Sequence, residues 1–328
     1  MNKSLKNWVA LAASALVMAA CVTVQPGPRG PQGFGGGPRL GHQGPNNQGP
    51  SALKSGGSGR TWDVEQIGSE TRITSLSVDP GASSVSISVS GDTRLIVANN
   101  IPDHLVGRFP NGTVQAQSNT YRMDATPSLA GAPTYLSLGS SFGIALNGVT
   151  FDPLAAEFYE KGGQDWNYVV LNGAIPLSLD TQTGHIQGQG EYHYHGIGEL
   201  MLQAAGYTLG QHSPLIGYAA DGFPIYALYG YAGGKGVNGV REVQSGWVLK
   251  SGPRPGGSTA PGGTYDGTFH ADYTYVGGDG TLDECNGMTT QTPEYPSGTY
   301  AYFLTADYPV VPICHQGRAN RSFRAERR

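Results

Sequence analysis

The sequence predicts a mainly β protein: one large β-rich domain, sandwich- or barrel-like, with one or two short helices and long Gly-rich loops. Three observations carry that reading. The chain holds 51 Gly and 22 Pro among 328 residues, and these are the poorest helix formers. Several segments alternate apolar and polar residues, the period of a half-buried strand. Hydrophobic residues make up 38% of the chain, with 18 Tyr, 9 Phe and 4 Trp, while charged residues make up only 13%. That is enough for a core, with about half the usual quarter of charge.

The chain opens with Lys3 and Lys6 and an apolar run from Trp8 to Ala20. At 1.5 Å per residue the run spans about 20 Å, too short for a ~30 Å hydrocarbon core. A basic flank, a short apolar stretch and small residues at its end form a secretory signal. Met18-Ala19-Ala20-Cys21 resembles a lipobox, so residues 1–20 are expected to be a lipoprotein signal peptide and Cys21 the lipidated residue. Val22 stands where an aspartate would favour the inner membrane, which leaves outer-membrane lipid as the expected anchor and the cell envelope as the address. Between residues 22 and 60 lie 12 Gly and 6 Pro and no Asp or Glu. Such a segment cannot bury a core, so residues 21–60 are expected to be a flexible tether.

A β-rich domain is expected over 61–318. Arg72 to Val78 and Val85 to Ser90 alternate and read as half-buried strands, divided by the turn signal Asp79-Pro80-Gly81. Arg94 to Ala98, Ser140 to Val149, Trp166 to Leu171, Tyr192 to His195, Leu215 to Ala219 and Tyr300 to Thr305 continue the series. Two short helices are predicted. Leu154 to Tyr159 follows Asp152-Pro153, a cap before a first-turn proline. Glu199 to Ala205 is a run of good formers stopped by Gly206. Residues 230–281 read as a Gly-rich surface insertion, and 319–328 as a frayed basic tail.

Twenty basic and 24 acidic residues leave a net charge of −4, which gives no electrostatic case for nucleic acid as a partner. The three cysteines are Cys21, Cys285 and Cys314. With Cys21 lipidated in an oxidising compartment, Cys285 and Cys314 are expected to pair as a disulfide; two thiolate metal ligands are the alternative. No dinucleotide fingerprint, Walker loop, zincin motif or nucleophile elbow is present.

The histidines carry the chemistry. In Tyr192-His193-Tyr194-His195, strand alternation places both imidazoles on one face and both phenols on the other. The segment between His185 and His193 is a Gly-rich turn. A hairpin centred on Gln189 sets His185 opposite His193, so that three imidazoles share a face; a register shifted by one pairs His185 with Tyr192 and breaks the cluster. Three neutral imidazoles suit copper, zinc, nickel or iron rather than calcium.

With these motifs the chain resembles the YHYH domain family, found in secreted and lipoprotein contexts and without a settled activity. The similarity runs from about residue 101 to 317. Its strings include Ile101-Pro102-Asp103-His104, Gly184-His185, Glu191 to His195, His212-Ser213-Pro214, Asp221-Gly222-Phe223-Pro224, and Leu282 to Gly287. Two positions depart from the family pattern: Gln182-Thr183 stands where a Cys is expected in many members, and Ala301 where a His is. The resemblance implies a shortlist of His104, His185, His193, His195 and His212. We take His185, His193, His195 and His212 as candidate metal ligands, with copper or zinc the expected metal. Ligand imidazoles need an Asp or a backbone carbonyl on their outer nitrogens; Asp180 and Asp221 are the candidates, with His104 beside them. A metal storage, transfer or sensing protein is the leading expectation. A metal-dependent or His/Asp hydrolase or oxidoreductase is the second, and a non-catalytic interaction module with structural histidines the third.

Overall fold

Pairing of the alternating segments organises the chain. A computed structural model describes residues 64–67, 70–73, 76–159, 163–231 and 239–324. The expected signal peptide, Cys21 and the tether to residue 60 lie outside the described residues, as do 232–238 of the Gly-rich segment and 325–328 of the tail.

The main sheet has eight strands, in the order Gly184–Gln187, Glu191–Tyr194, Thr150–Phe151, Gly143–Ala145, Gly217–Ala219, Pro224–Ala227, Thr299–Leu304 and Gly287–Thr290. Neighbours are antiparallel, except that Glu191–Tyr194 runs parallel to Thr150–Phe151 and Pro224–Ala227 parallel to Thr299–Leu304. The last two strands are buried almost throughout, as strands covered on both faces must be. Pro224 heads its strand, the position where a missing N–H costs no ladder bond. The sheet keeps two edges, so it is an open sheet and not a closed barrel.

A second, three-stranded antiparallel sheet joins Val85–Ser90, Thr93–Ala98 and Asn119–Asp124. Ile96, Ala98, Tyr121 and Met123 pack from it against Ile144 and Ala220 of the main layer, the sandwich-like contact the alternation predicts. Burying each such large side chain is worth about 1.5–3 kcal/mol. Val85–Ser90 was expected to be half-buried, yet all six of its residues are exposed. It is the edge of its sheet, and no described element covers it.

The helix at Glu199–Ala204 forms where expected. The predicted helix after Asp152-Pro153 does not. Leu154–Phe158 is a strand paired with Asn167–Val169. The Asn167 amide donates to the carbonyls of Ala155 and Glu157, each at 2.8 Å, and Ala155 packs with Val170, Ile175 and Leu179. A run this short gains too little from helix propensity to resist tertiary pairing.

The Gly-rich segment 230–281 carries ordered structure. Trp247–Leu249 pairs with Tyr273–Tyr275, and Arg254 grips the fully buried Asp272 through Nε and a terminal amine at 2.7 and 2.6 Å. The expected frayed tail is docked as far as Arg324. A 3-10 turn at Arg321–Phe323 buries Phe323 against Tyr121, ring centroids 4.9 Å apart; one buried aromatic outweighs the fraying that the arginines imply. Cys285 and Cys314 form a disulfide, Cα–Cα 5.1 Å, so neither is a metal ligand.

Candidate metal centre

The site begins with a hairpin at the edge of the main sheet. Gly184–Gln187 pairs with Glu191–Tyr194 in the register that sets His185 opposite His193 and Gln187 opposite Glu191. The three-residue loop holds Gly188 at φ 52° and Gly190 at φ 85°, the left-handed region that glycine enters without cost. A Cβ on Gly190 would also lie 2.6 Å from the Thr113 carbonyl oxygen. Gly184 has no room for a Cβ either, because the Tyr192 ring lies over it.

Alternation then separates two chemistries. On one face Nε2 of His195 lies 3.1 Å from Nε2 of both His193 and His185. The ring centroids are 4.7–4.9 Å apart, and one ligand nitrogen from each residue lies within 4.8 Å of the other two. A tetrahedral metal with bonds of about 2.0–2.1 Å needs nitrogens about 3.3 Å apart. The cluster is therefore near the dimensions of a three-nitrogen ligand set. No other group of three His, Cys, Asp or Glu among the described residues has this geometry.

Two of the three outer nitrogens face backbone carbonyls, not carboxylates. Nδ1 of His185 donates to the Leu177 carbonyl at 2.9 Å, and Nδ1 of His193 approaches that of Glu191 at 3.4 Å. With the proton on Nδ1, Nε2 keeps its lone pair for a metal. Nδ1 of His195 is buried beside the Asp152 main chain and makes no well-formed hydrogen bond. Burial lowers the pKa of all three. His193 is lowered to about 3, with His185 adding to the effect, and His195 is driven well down by burial and by both neighbours. His185 falls as well, by burial, against the opposing pull of its bond to the Leu177 carbonyl and of Glu157. At neutral pH the three rings are uncharged, the form that ligates.

The tyrosine face takes the residues that the sequence nominated for orientation. Asp180 accepts from the Tyr192 hydroxyl at 3.1 Å and from the main-chain N–H groups of Gly107, Gln182 and Gly184. His104 Nε2 bonds the Tyr194 hydroxyl at 2.7 Å, and Asn147 donates to the same oxygen at 3.0 Å. Asp180 and His104 thus brace the phenols from behind instead of touching the imidazoles. Asp221 lies elsewhere, accepting from Tyr302 at 2.5 Å and Gly317 N at 2.9 Å. His212 is not brought into the cluster. It packs on Tyr231 at 4.5 Å, with Nδ1 donating to the Ser213 carbonyl at 2.7 Å. The imidazoles that the fold brings together are His185, His193 and His195.

All three histidines border a cleft of about 360 Å³, whose walls include Asp152, Glu157 and Ser178. Asp152 went unnoticed in the sequence because Asp152-Pro153 reads as a helix cap. The parallel pairing of His193 with Thr150 and Tyr194 with Phe151 carries it to the site, where its N–H bonds the Tyr194 carbonyl at 2.8 Å. Burial, helped by nearby Glu191, pushes its carboxyl up to about 7. No local pattern announces a parallel partner so distant in sequence.

Residues 120–317 match the family model described as YHYH protein. Comparison with curated proteins gives no match, and neither does comparison with solved structures.

Proposed function

The chain belongs to the YHYH protein family, and on that premise we propose that it binds a transition-metal ion through His185, His193 and His195. The observation that carries the proposal is the convergence of three Nε2 atoms, two of their separations being 3.1 Å, at the foot of a cleft. Uncharged imidazoles without a carboxylate among them match copper, zinc, nickel or iron and not the hard cations that need oxygen. Copper or zinc is the metal we expect.

The open cleft favours a site with an accessible coordination position over a purely structural one. Structural sites close their coordination shell, whereas catalytic ones keep a position for water or substrate. A bound ion would supply Lewis acidity at that position. The protein would supply a proton acceptor in Asp152, which lines the same cleft. We therefore put a metal-dependent hydrolase of an envelope substrate beside metal storage, transfer or sensing.

The proposal places the domain in the cell envelope, held to outer-membrane lipid through Cys21. The apolar run at 8–20 and the Cys285–Cys314 bridge support this, since disulfides persist in oxidising compartments. Cys21→Ala should move the protein from the membrane fraction to the soluble fraction.

Elemental analysis tests the metal. The intact protein, prepared without chelator or affinity tag, should carry about one equivalent of copper, zinc or a neighbouring metal. The double variant His193→Ala/His195→Ala should carry none while keeping the circular dichroism of the parent. A parent that holds no metal and takes none up on titration overturns the proposal. Asp152→Asn separates the two uses: metal content stays, and turnover of a substrate is lost only in an enzyme.

A further inference from the structure

Two buried imidazole nitrogens without a hydrogen-bond partner, Nδ1 of His195 and Nε2 of His270, belong to residues that line one cavity. A buried nitrogen left unpaired is costly, so each of the two calls for a partner. The cavity measures about 400 Å³ and lies in part on the Gly-rich segment, separate from the cleft of the three Nε2 atoms. Size and lining fall within the range of small-molecule sites.

Part of its wall is aromatic, formed by Trp247, Tyr273 and Tyr308. Tyr273 and Tyr308 stack at 3.7 Å with an interplanar angle of 9°, and Trp247 meets Tyr308 edge-on at 5.8 Å. All three are only half-buried. The stack is braced from behind: His270 Nδ1 and the Tyr308 hydroxyl share a hydrogen bond of 2.9 Å. Exposed Asp266 and Asp307 add carboxylates to the lining. The Arg254 guanidinium is committed to Asp272 and Asp266. With Asp266 paired to Arg254, Asp307 is the main carboxylate at the rim and offers hydrogen-bond acceptors there.

We propose that this cavity binds a neutral sugar ring. A hydroxyl both donates and accepts, so it satisfies an imidazole nitrogen in either tautomer. The apolar face of a pyranose can lie on an aromatic wall, and its remaining hydroxyls can donate to the carboxylates. A phenol offers one hydroxyl to two nitrogens and leaves the acids unused. The proposal does not rest on the metal, because the His195 nitrogen concerned is Nδ1, not the Nε2 that meets the other histidines.

The test is calorimetric titration of the intact protein, chelator-treated and metal-loaded in parallel, with glucose, N-acetylglucosamine, their β-linked dimers, and phenol. Tryptophan fluorescence gives a second readout from Trp247. Saturable sugar binding is expected in both states. It should weaken at least tenfold in His270→Leu and in Trp247→Ala, while Trp247→Phe keeps most of it. Preference for the dimers identifies a glycan chain as the source, and equal affinity a free monosaccharide. No saturable sugar binding in either state overturns the proposal and makes water the partner of both nitrogens. Phenol binding in place of sugar overturns it too, as does sugar binding unchanged in His270→Leu. Sugar binding by a protein that takes up no metal leaves this proposal standing and removes only the metal reading.

Discussion

His185 stands directly opposite His193 in an antiparallel ladder, and that one pairing decides whether a three-imidazole face exists. A slip of one residue would turn His185 to the tyrosine side. The loop that prevents the slip turns on Gly190, at φ 85°. Gly190→Ala forces a side chain into that backbone region and against the Thr113 carbonyl. We expect a loss of about 1–3 kcal/mol and weaker metal uptake, read from urea unfolding and metal titration. Unchanged uptake would show that the register does not need this turn.

Asp180 separates a brace from a ligand partner. It is 2% exposed and accepts only from main-chain N–H groups and Tyr192. Asp180→Asn replaces an acceptor by a donor facing donors, so stability should fall by about 1–3 kcal/mol. Metal stoichiometry in the folded variant should stay that of the parent. Loss of metal at full stability would instead tie Asp180 to the imidazoles.

Acid should weaken the fold through His270. Burial holds its pKa at about 4, below the ~6.5 of an unfolded chain. The unfolded state therefore takes the proton first, and stability present above pH ~6.5 is lost as the pH falls toward 4. At about 1.4 kcal/mol per pH unit, His270 accounts for roughly 3–4 kcal/mol. His270→Gln should flatten the slope between pH 6.5 and 4.5 in denaturant titrations. Taking the difference between protein and variant cancels Asp283, whose raised pKa acts in the opposite direction. Parallel slopes would refute the assignment.

The bridge between Cys285 and Cys314, 29 residues apart, should contribute about 3–4 kcal/mol by restricting the unfolded chain. The double variant Cys285→Ala/Cys314→Ala should melt well below the oxidised parent and coincide with the parent in reductant. No difference in melting would mean that the unfolded chain is already restricted there.

Phe323 tests the docked end of the chain. It is 4% exposed and rests on Tyr121. Phe323→Ala should cost about 3–5 kcal/mol by thermal or urea unfolding. A neutral result would return this segment to the frayed tail that its arginines imply.

How much was legible follows from how far apart the interacting residues lie. Thr93–Ala98, Glu191–Tyr194 and the helix Glu199–Ala204 were readable because their period or composition is local. The hairpin between His185 and His193 was readable from its glycines, but its register was not: the seven residues between them admit two pairings, and the fold chose the one that sets His185 opposite His193. Leu154–Phe158 was misread as helix because Asp152-Pro153 is a true cap signal, overridden by a strand partner outside the window. Asn119–Asp124 and Pro224–Ala227 carried no sufficient pattern: one is held by cross-strand burial, the other by a parallel neighbour far along the chain.

The amino-acid sequence by itself determined a β-rich chain, a hairpin, and a strand with imidazoles on one side and phenols on the other, because period-two alternation needs no knowledge of neighbours. Only the tertiary structure decided which groups meet those faces. It sent Asp180 and His104 to the phenols and left His212 among Tyr226 and Tyr231. It also brought Asp152 to the cleft through the parallel pairing of Glu191–Tyr194 with Thr150–Phe151. Such long-range choices are set by which pairings bury the most surface and satisfy the most polar groups together, a comparison among whole folds that no local stretch of sequence encodes.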